Sequence, residues 1–425
     1  MKALILAVAG LAACAAAANA MTVAMSDSAA LNTSGYIQVL GVGEQVPDPA
    51  RKLDRVYLFL KEARLQFDGH VGDTKFNLMW ATGGEDVSTT NNALGLLDFS
   101  FDVPLTSGTT LKVGQFLVPY SRERLTNDAT LQFGDRSIQN LGFAWNRDVG
   151  AAVMAHPGNL SGTFAVMTGG GRDVPQRYLP EALGSPLLVA RAGFDNGVDP
   201  DIYHVSSRFV RPDHTVMAFY VNGLFIKDSP IGHSTVLNVR STDKSLLIDP
   251  DWNPYIGAKP YDLSTVWQGG GDFVVRAPMG NGAFDAEAEY NYASFKNVFG
   301  QLDVKGGRVQ VGMQKGAGAL NLRYAVLDLD PGMVSPSGLP LLPDRRPLQE
   351  ITPAASWRYR SNLQIVLDVP ILIDALIFQE HTIGSYVATE EPDQSTVVKN
   401  GTTAGTGTVI RKTVPEVRLM AQVSF

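Results

Sequence analysis

Along much of the chain apolar and polar side chains take turns one residue at a time. In the last ten residues Val417, Leu419, Ala421, Val423 and Phe425 share one parity, and Arg418, Met420, Gln422 and Ser424 share the other. Successive side chains of a strand point to opposite faces, so this period of two predicts a strand with one apolar face. Ala63, Leu65 and Phe67 oppose Arg64, Gln66 and Asp68 in the same way, and Phe76, Leu78 and Trp80 oppose Lys75, Asn77 and Met79. Phe99, Phe101 and Val103 oppose Asp98, Ser100 and Asp102. The fullest case sets Phe284, Ala286, Ala288, Tyr290 and Tyr292 against Asp285, Glu287, Glu289 and Asn291.

Strands are predicted near 31–40, 55–68, 73–81, 96–104, 109–118, 147–155, 160–168 and 201–211, and then near 214–222, 271–278, 282–293, 298–313, 317–328, 353–361, 363–378 and 416–425. Tight links at Gly69–Gly72, Pro157–Asn159 and Arg211–Asp213 alternate with long ones near 82–95, 119–146, 169–200, 223–270, 329–352 and 379–415. A short helix or turn is expected within 174–184. One end of the sheet is therefore tightly turned and the other elaborated, as in an up-and-down barrel.

Two readings accommodate the alternation, a soluble sandwich and a membrane barrel. The longest apolar run, Val369 to Ile373, stops at Asp374, well short of the roughly 18 residues that a membrane helix needs. Strands of about ten residues recurring along the whole chain favour a closed sheet in lipid, since only helices and closed sheets satisfy their backbone groups there. The expected fold is all-β, a transmembrane antiparallel up-and-down β-barrel of about 16 strands, forming one unit over 21–425 in the outer membrane of a Gram-negative bacterium.

The start reads as an export signal over 1–20. Lys2 is followed by an apolar stretch, and Ala18-Asn19-Ala20 is a small-x-small cleavage site. Leu11-Ala12-Ala13-Cys14 offers a rival cut that would lipidate Cys14. Cys14 is the sole cysteine, so a disulfide framework is excluded. A net charge of -7 argues against nucleic acid as a partner.

A more specific signal lies at Gly114-Gln115-Phe116-Leu117-Val118-Pro119-Tyr120-Ser121. It is followed by Phe133-Gly134-Asp135-Arg136 and then by Arg147-Asp148-Val149-Gly150. This order resembles the phosphate-selective porin family. The resemblance implies a sixteen-stranded homotrimer with an aqueous lumen and a constriction loop near 119–146. It also implies a terminal aromatic, here Phe425, read by the barrel-assembly machinery. Members that select phosphate line the channel with arginine and lysine, and the matching residues here are Arg122, Arg124, Arg136 and Arg147, with Lys112 and Arg64 on strand faces.

A guanidinium keeps its charge at any relevant pH and offers forked donors to an oxyanion. The same arginines alternate with Glu123, Asp128, Asp135 and Asp148, so they either meet solutes or pair to pin the loop to the wall. Asp98, Asp102, Asp285, Glu287 and Glu289 are too costly to place in lipid and are expected in the lumen. There they bias the pore toward cations or offset bases on a neighbouring strand. Trp80, Tyr120, Phe133, Tyr203, Phe219, Tyr220, Trp357 and Tyr359 are expected in interfacial girdles.

Asp243, Asp249, Asp251 and Asn253 could collect calcium but fit no EF-hand spacing, which favours a solvated loop. No histidine pair has zinc-hydrolase spacing, and nothing marks Ser206, beside His204, as a nucleophile. The reading is thus a passive diffusion pore for small polar or charged solutes, anions such as phosphate among them, with no cofactor, metal or catalytic residue. Its expected partners are small ions, outer-membrane lipids and lipopolysaccharide. The alternatives are a non-conducting binding or structural barrel and a soluble periplasmic β-protein.

Overall fold

The computed structural model describes residues 21–26, 28–47, 52–83, 94–143, 145–171, 186–199, 202–203, 205–207, 211–230, 263–297, 300–331, 347–359, 362–379, 395–399 and 402–425. The expected leader 1–20, the turn or helix in 174–184 and the acidic cluster at 243–253 lie outside the described residues.

The first strands are β1 Met21–Ser26, β2 Ala29–Pro47, β3 Lys52–Val71, β4 Thr74–Thr82, β5 Gly95–Thr106 and β6 Thr109–Leu117. Next come β7 Arg147–Ala155, β8 Leu160–Met167, β9 Leu187–Asp195, β10 Val216–Pro230, β11 Leu263–Met279, β12 Gly282–Asn297 and β13 Gly300–Lys315. Last are β14 Gly318–Pro331, β15 Leu348–Tyr359, β16 Leu363–Asp368, β17 Ile371–Gln379, β18 Ser395–Lys399 and β19 Thr402–Ser424.

Every strand from β2 to β15 pairs antiparallel with its successor. β16 and β17 both lie between β15 and β19 and form one stave, interrupted at Val369-Pro370, where proline has no N–H to donate. β19 pairs back onto β2, from Glu416 opposite Glu44 to Ser424 opposite Tyr36, and the ladder closes into sixteen staves. At the seam Gly35 and Phe425 exchange two backbone hydrogen bonds of 2.9 Å. A Cβ on Gly35 would come within 2.4 Å of the Arg64 carbonyl and 2.7 Å of the Phe425 ring, so the closure requires glycine.

Burial runs opposite to that of a soluble sandwich. In β12 Asp285, Glu287, Glu289 and Asn291 are almost fully buried, whereas Tyr290 is 56% exposed. Phe99, Phe101, Phe164, Phe219, Val309, Leu320 and Leu322 are likewise exposed, while Arg191, Arg308, Arg323 and Glu350 are buried. Apolar side chains outside and charged ones inside suit a barrel whose outer wall meets acyl chains, in the outer membrane. The soluble reading fails on that distribution.

The described residues within 201–211 form no strand, and the stave that stands in its place is β9, in a stretch expected to be loop. In the first half of β9 the inward Leu187 and Val189 join an apolar cluster inside the barrel, so alternation is lost there and only Arg191 and Asp195 mark the inward face as polar. Arg211–Asp213 is accordingly no tight link but the end of a longer connection between β9 and β10. Several loops are shorter than expected because β2, β10, β11, β14, β15 and β19 run past their predicted limits.

Candidate functional site: the lumen and its inner loop

The chain from 118 to 146 leaves the top of β6 and crosses the inside of the barrel. Its first bend is at Ser121, whose φ of 66° is the only positive value among the described non-glycine residues. Such a backbone is strained for a side-chain-bearing residue and persists where the surroundings hold it. Ser121 also caps the one-turn helix Arg122–Leu125, its Oγ accepting from the Arg124 N–H at 3.4 Å.

The loop is fastened to walls on both sides. Toward β9–β15, Glu289 accepts from the Glu123 N–H at 3.0 Å, Glu350 from the Ile138 N–H at 3.0 Å, and Gln268 from the Trp145 indole at 2.9 Å. Toward the seam, Gln38 donates to the Asp128 carbonyl at 3.1 Å, Gln422 to the Ala129 carbonyl at 3.0 Å, and Lys61 to the Gly134 carbonyl at 2.6 Å. Lys61 reaches in because a bulge opposite Gln38 and Val39 makes Lys61 and Glu62 both point inward. Within the loop, Glu123 accepts from the Ser137 N–H and hydroxyl, both at 2.7 Å, tying its two arms together. Above these bonds Ile138, Phe143 and Trp145 pack with Val266, Phe295, Val304 and Leu327 in a dry cluster.

A second segment enters from the tightly turned end. Residues 198–207 carry Val198, Ile202 and Val205 into an apolar cluster with Leu125, Tyr220 and Val274. Val205 bridges to Thr126, and its carbonyl accepts from the Asn127 N–H at 3.2 Å. Gln132 donates to the Ser207 carbonyl at 2.8 Å. These contacts pack the segment between the inner loop and the β10–β11 wall. An open cavity of about 1070 Å³ lies along the opposite side, reaching the β3–β4 turn at Gly72-Asp73 and Ser107 of the β5–β6 turn.

The arginines expected to act together are divided by this arrangement. Arg122 is fully buried on the far side, 2.8 Å from Asp199, 3.8 Å from Glu287 and 3.9 Å from Asp272. Arg64, Lys112, Arg124, Arg136 and Arg147 all line the cavity, with Asp98 and Asp102. Arg147 is 3.0 Å from Asp98, and Lys112 is 2.8 Å from its cross-strand partner Asp102. Arg64 lies 2.6 Å from Asp128 and 3.2 Å from Glu62, and Arg136 is paired to the other oxygen of Asp128. Burial alone would push the Asp128 carboxyl up, but Arg136, Arg64, Lys61 and Arg124 outweigh it and hold the group below the usual carboxylate range.

Arg124 differs from its neighbours. It donates only to neutral oxygens, the Trp145 carbonyl at 3.1 Å and Asn146 Oδ1 at 3.0 Å, and has no carboxylate within ion-pair distance among the described residues.

The acidic residues of β12 take the offsetting role. Asp285 is 2.8 Å from Arg276, its cross-strand partner, and Glu289 is 3.2 Å from Arg308, its partner on β13. Glu287 is 3.2 Å from Arg308 and 3.6 Å from Arg276. Sequence reasoning missed these arginines, Lys61, and Arg323, which is 2.7 Å from Glu350 and 4.3 Å from the Phe133 ring centre. The parity of Arg276 and Arg308 relative to the acidic face could have found them. Tyr120, Phe133, Tyr203 and Tyr220, expected in girdles, instead face the interior, whereas Phe219, Trp357 and Tyr359 are exposed on the outer wall. Phe425 sits at the seam. His204 lies outside the described residues.

A family model described as "Phosphate-selective porin O and P" matches residues 45–177, which contain most of the cavity lining and the inner loop. No curated protein sequence matches the chain significantly. Among solved structures, the anion-selective porin of Comamonas acidovorans aligns over 93% of this chain and 100% of its own, with 12% identity and a TM-score of 0.55. OmpT of Vibrio cholerae aligns over 94% and 98%, with 9% identity and a TM-score of 0.53. The outer membrane channel DcaP of Acinetobacter baumannii aligns over 94% and 99%, with 12% identity and a TM-score of 0.52. At such identities the likeness establishes the fold, a porin-type outer-membrane barrel.

Proposed function

We propose that this barrel is a passive diffusion porin that favours small anions, phosphate among them, with its water path running along β2–β6. The observation that carries the reading is the mid-lumen end of the cavity. There four guanidiniums, of Arg64, Arg124, Arg136 and Arg147, meet two lining carboxylates, Asp98 and Asp128, with a third, Glu62, 3.2 Å from Arg64 in the wall behind them. Fixed charge within low-dielectric walls focuses potential into the path and raises the local concentration of counter-ions. The cavity as a whole is nearly balanced, with six lysine and arginine side chains against five aspartates. Selectivity would therefore arise at the arginine cluster. The mechanism needs no energy input, and selection comes from width and lining charge. The loop near 119–146 acts as the constriction in this reading, and the porin is a trimer of such barrels.

The test is unit conductance and reversal potential of the purified full-length protein in planar bilayers under a salt gradient, with chloride and phosphate compared. Steady open steps with a potential of anionic sign are expected. Current carried chiefly by cations would remove the role given to the arginines. One observation favours a second reading, a non-conducting binding or structural barrel: the inner loop is fastened on both sides of the lumen. That reading requires the absence of steps from protein that migrates as folded.

A further inference from the structure

We infer that Tyr203, carried into the lumen by the segment at 198–207, is a second specificity-determining element of the pore, in series with the arginine cluster. The inference rests on the pore reading above.

Tyr203 lines the cavity beside Lys112, the fourth residue of β6 after the β5–β6 turn, whereas Arg147 pairs with Leu117 at the other end of that strand. Its ring meets Phe116 edge to face at 5.7 Å, and the Lys112 ammonium lies 5.1 Å from its centre and 5.8 Å from that of Phe116. A cation over a ring face is attracted by the ring's quadrupole. Lys112 is therefore held by two aromatic rings as well as by Asp102 at 2.8 Å. Asp102 alone would leave a four-carbon side chain free to swing with its carboxylate. The rings fix the ammonium at one point on the wall, where it presents positive charge to a solute that has passed the arginines.

The segment is anchored well enough to hold the ring still. Val205 is bridged to Thr126, and Ser206 accepts from Arg276 through its carbonyl while its N–H donates to Asp199 at 3.2 Å. Arg276 also donates to the Val198 carbonyl at 3.3 Å, and Ser207 lies 3.2 Å from Glu287. These bonds tie the segment both to the inner loop and to β11–β12, so the two inward segments form one frame around the path. Nothing in the alternation pattern distinguished this segment from a strand.

The experiment compares wild type with Tyr203→Ala, Tyr203→Phe and Tyr203→Leu in planar bilayers, each first shown to be folded by heat-modifiable migration. Tyr203→Ala is expected to raise unit conductance and to lower the anion-to-cation permeability ratio by about twofold or more. Tyr203→Phe keeps the ring and should match wild type. Tyr203→Leu keeps the bulk without the quadrupole, so it should leave conductance near wild type while lowering the ratio. Anion-preferring wild-type steps with all three variants unchanged would overturn this inference and leave the porin reading standing. A folded wild type that never opens would overturn both. If Tyr203→Ala and Tyr203→Leu raise conductance equally without moving the ratio, the ring is only a spacer and the role in specificity is wrong.

Discussion

Asp128→Asn is the sharpest probe of the arginine cluster, because it removes one charge with almost no change of shape. The carboxylate accepts Arg64 on one oxygen and Arg136 on the other, and four cations hold it ionised throughout the neutral range. An anion touching Arg64 from the lumen, at a usual charge-assisted distance of about 2.8 Å, would sit roughly 6 Å from that carboxylate. Coulomb repulsion there is about 0.7 kcal/mol at the dielectric of bulk water and about 1.4 kcal/mol at half of it. The separation is shorter than the Debye length of about 10 Å at 0.1 M salt, so screening trims this only in part. Removing the repulsion should raise anion occupancy by about threefold to tenfold, and it should disfavour cations by a similar factor. The assay is the reversal potential under a potassium chloride gradient, read beside heat-modifiable migration. A folded Asp128→Asn barrel with an unchanged permeability ratio would refute the claim that solutes pass this cluster.

Three further outcomes follow from the same geometry. Arg124→Gln removes a guanidinium bonded only to neutral oxygens, so it should lower the permeability ratio by about threefold while leaving the folded fraction on a gel intact; a ratio equal to wild type would count against the cluster. Gly35→Val places a side chain against the Arg64 carbonyl and the Phe425 ring at the seam, and should abolish most of the heat-modifiable folded band. A normal band would mean that the seam closes in another register. For pH, the folded Asp128 carboxyl lies below its unfolded value near 4, so its contribution is fully present above that value and is lost as pH falls through the lower folded one. The part of the unit conductance that differs between wild type and Asp128→Asn should then be steady from neutrality down to about pH 4 and change only in stronger acid; an Asp128-dependent transition between pH 5 and 7 would contradict the cluster's electrostatics.

The period of two was sufficient to read the fold class and which parity of each recognised strand faces inward, but the count of sixteen came out right only because a strand expected at 201–211 stood in for the unread β9. That information is local: charged side chains cannot remain in hydrocarbon, so Asp285, Glu287 and Glu289 had one destination once the sheet was closed. Alternation failed where the lumen is not wet. Leu187 and Val189 point inward yet meet other apolar side chains, and Ile202 and Val205 resemble strand residues because they too pack inside the barrel. The candidate site was legible as a set of residue types and not as an arrangement. Arg122 and Arg124 are two residues apart, but only the path of the loop sends one to a buried acidic wall and the other to an open cavity. Which arginine is neutralised depends on carboxylates brought from distant strands, and a pattern of near neighbours carries no record of those encounters.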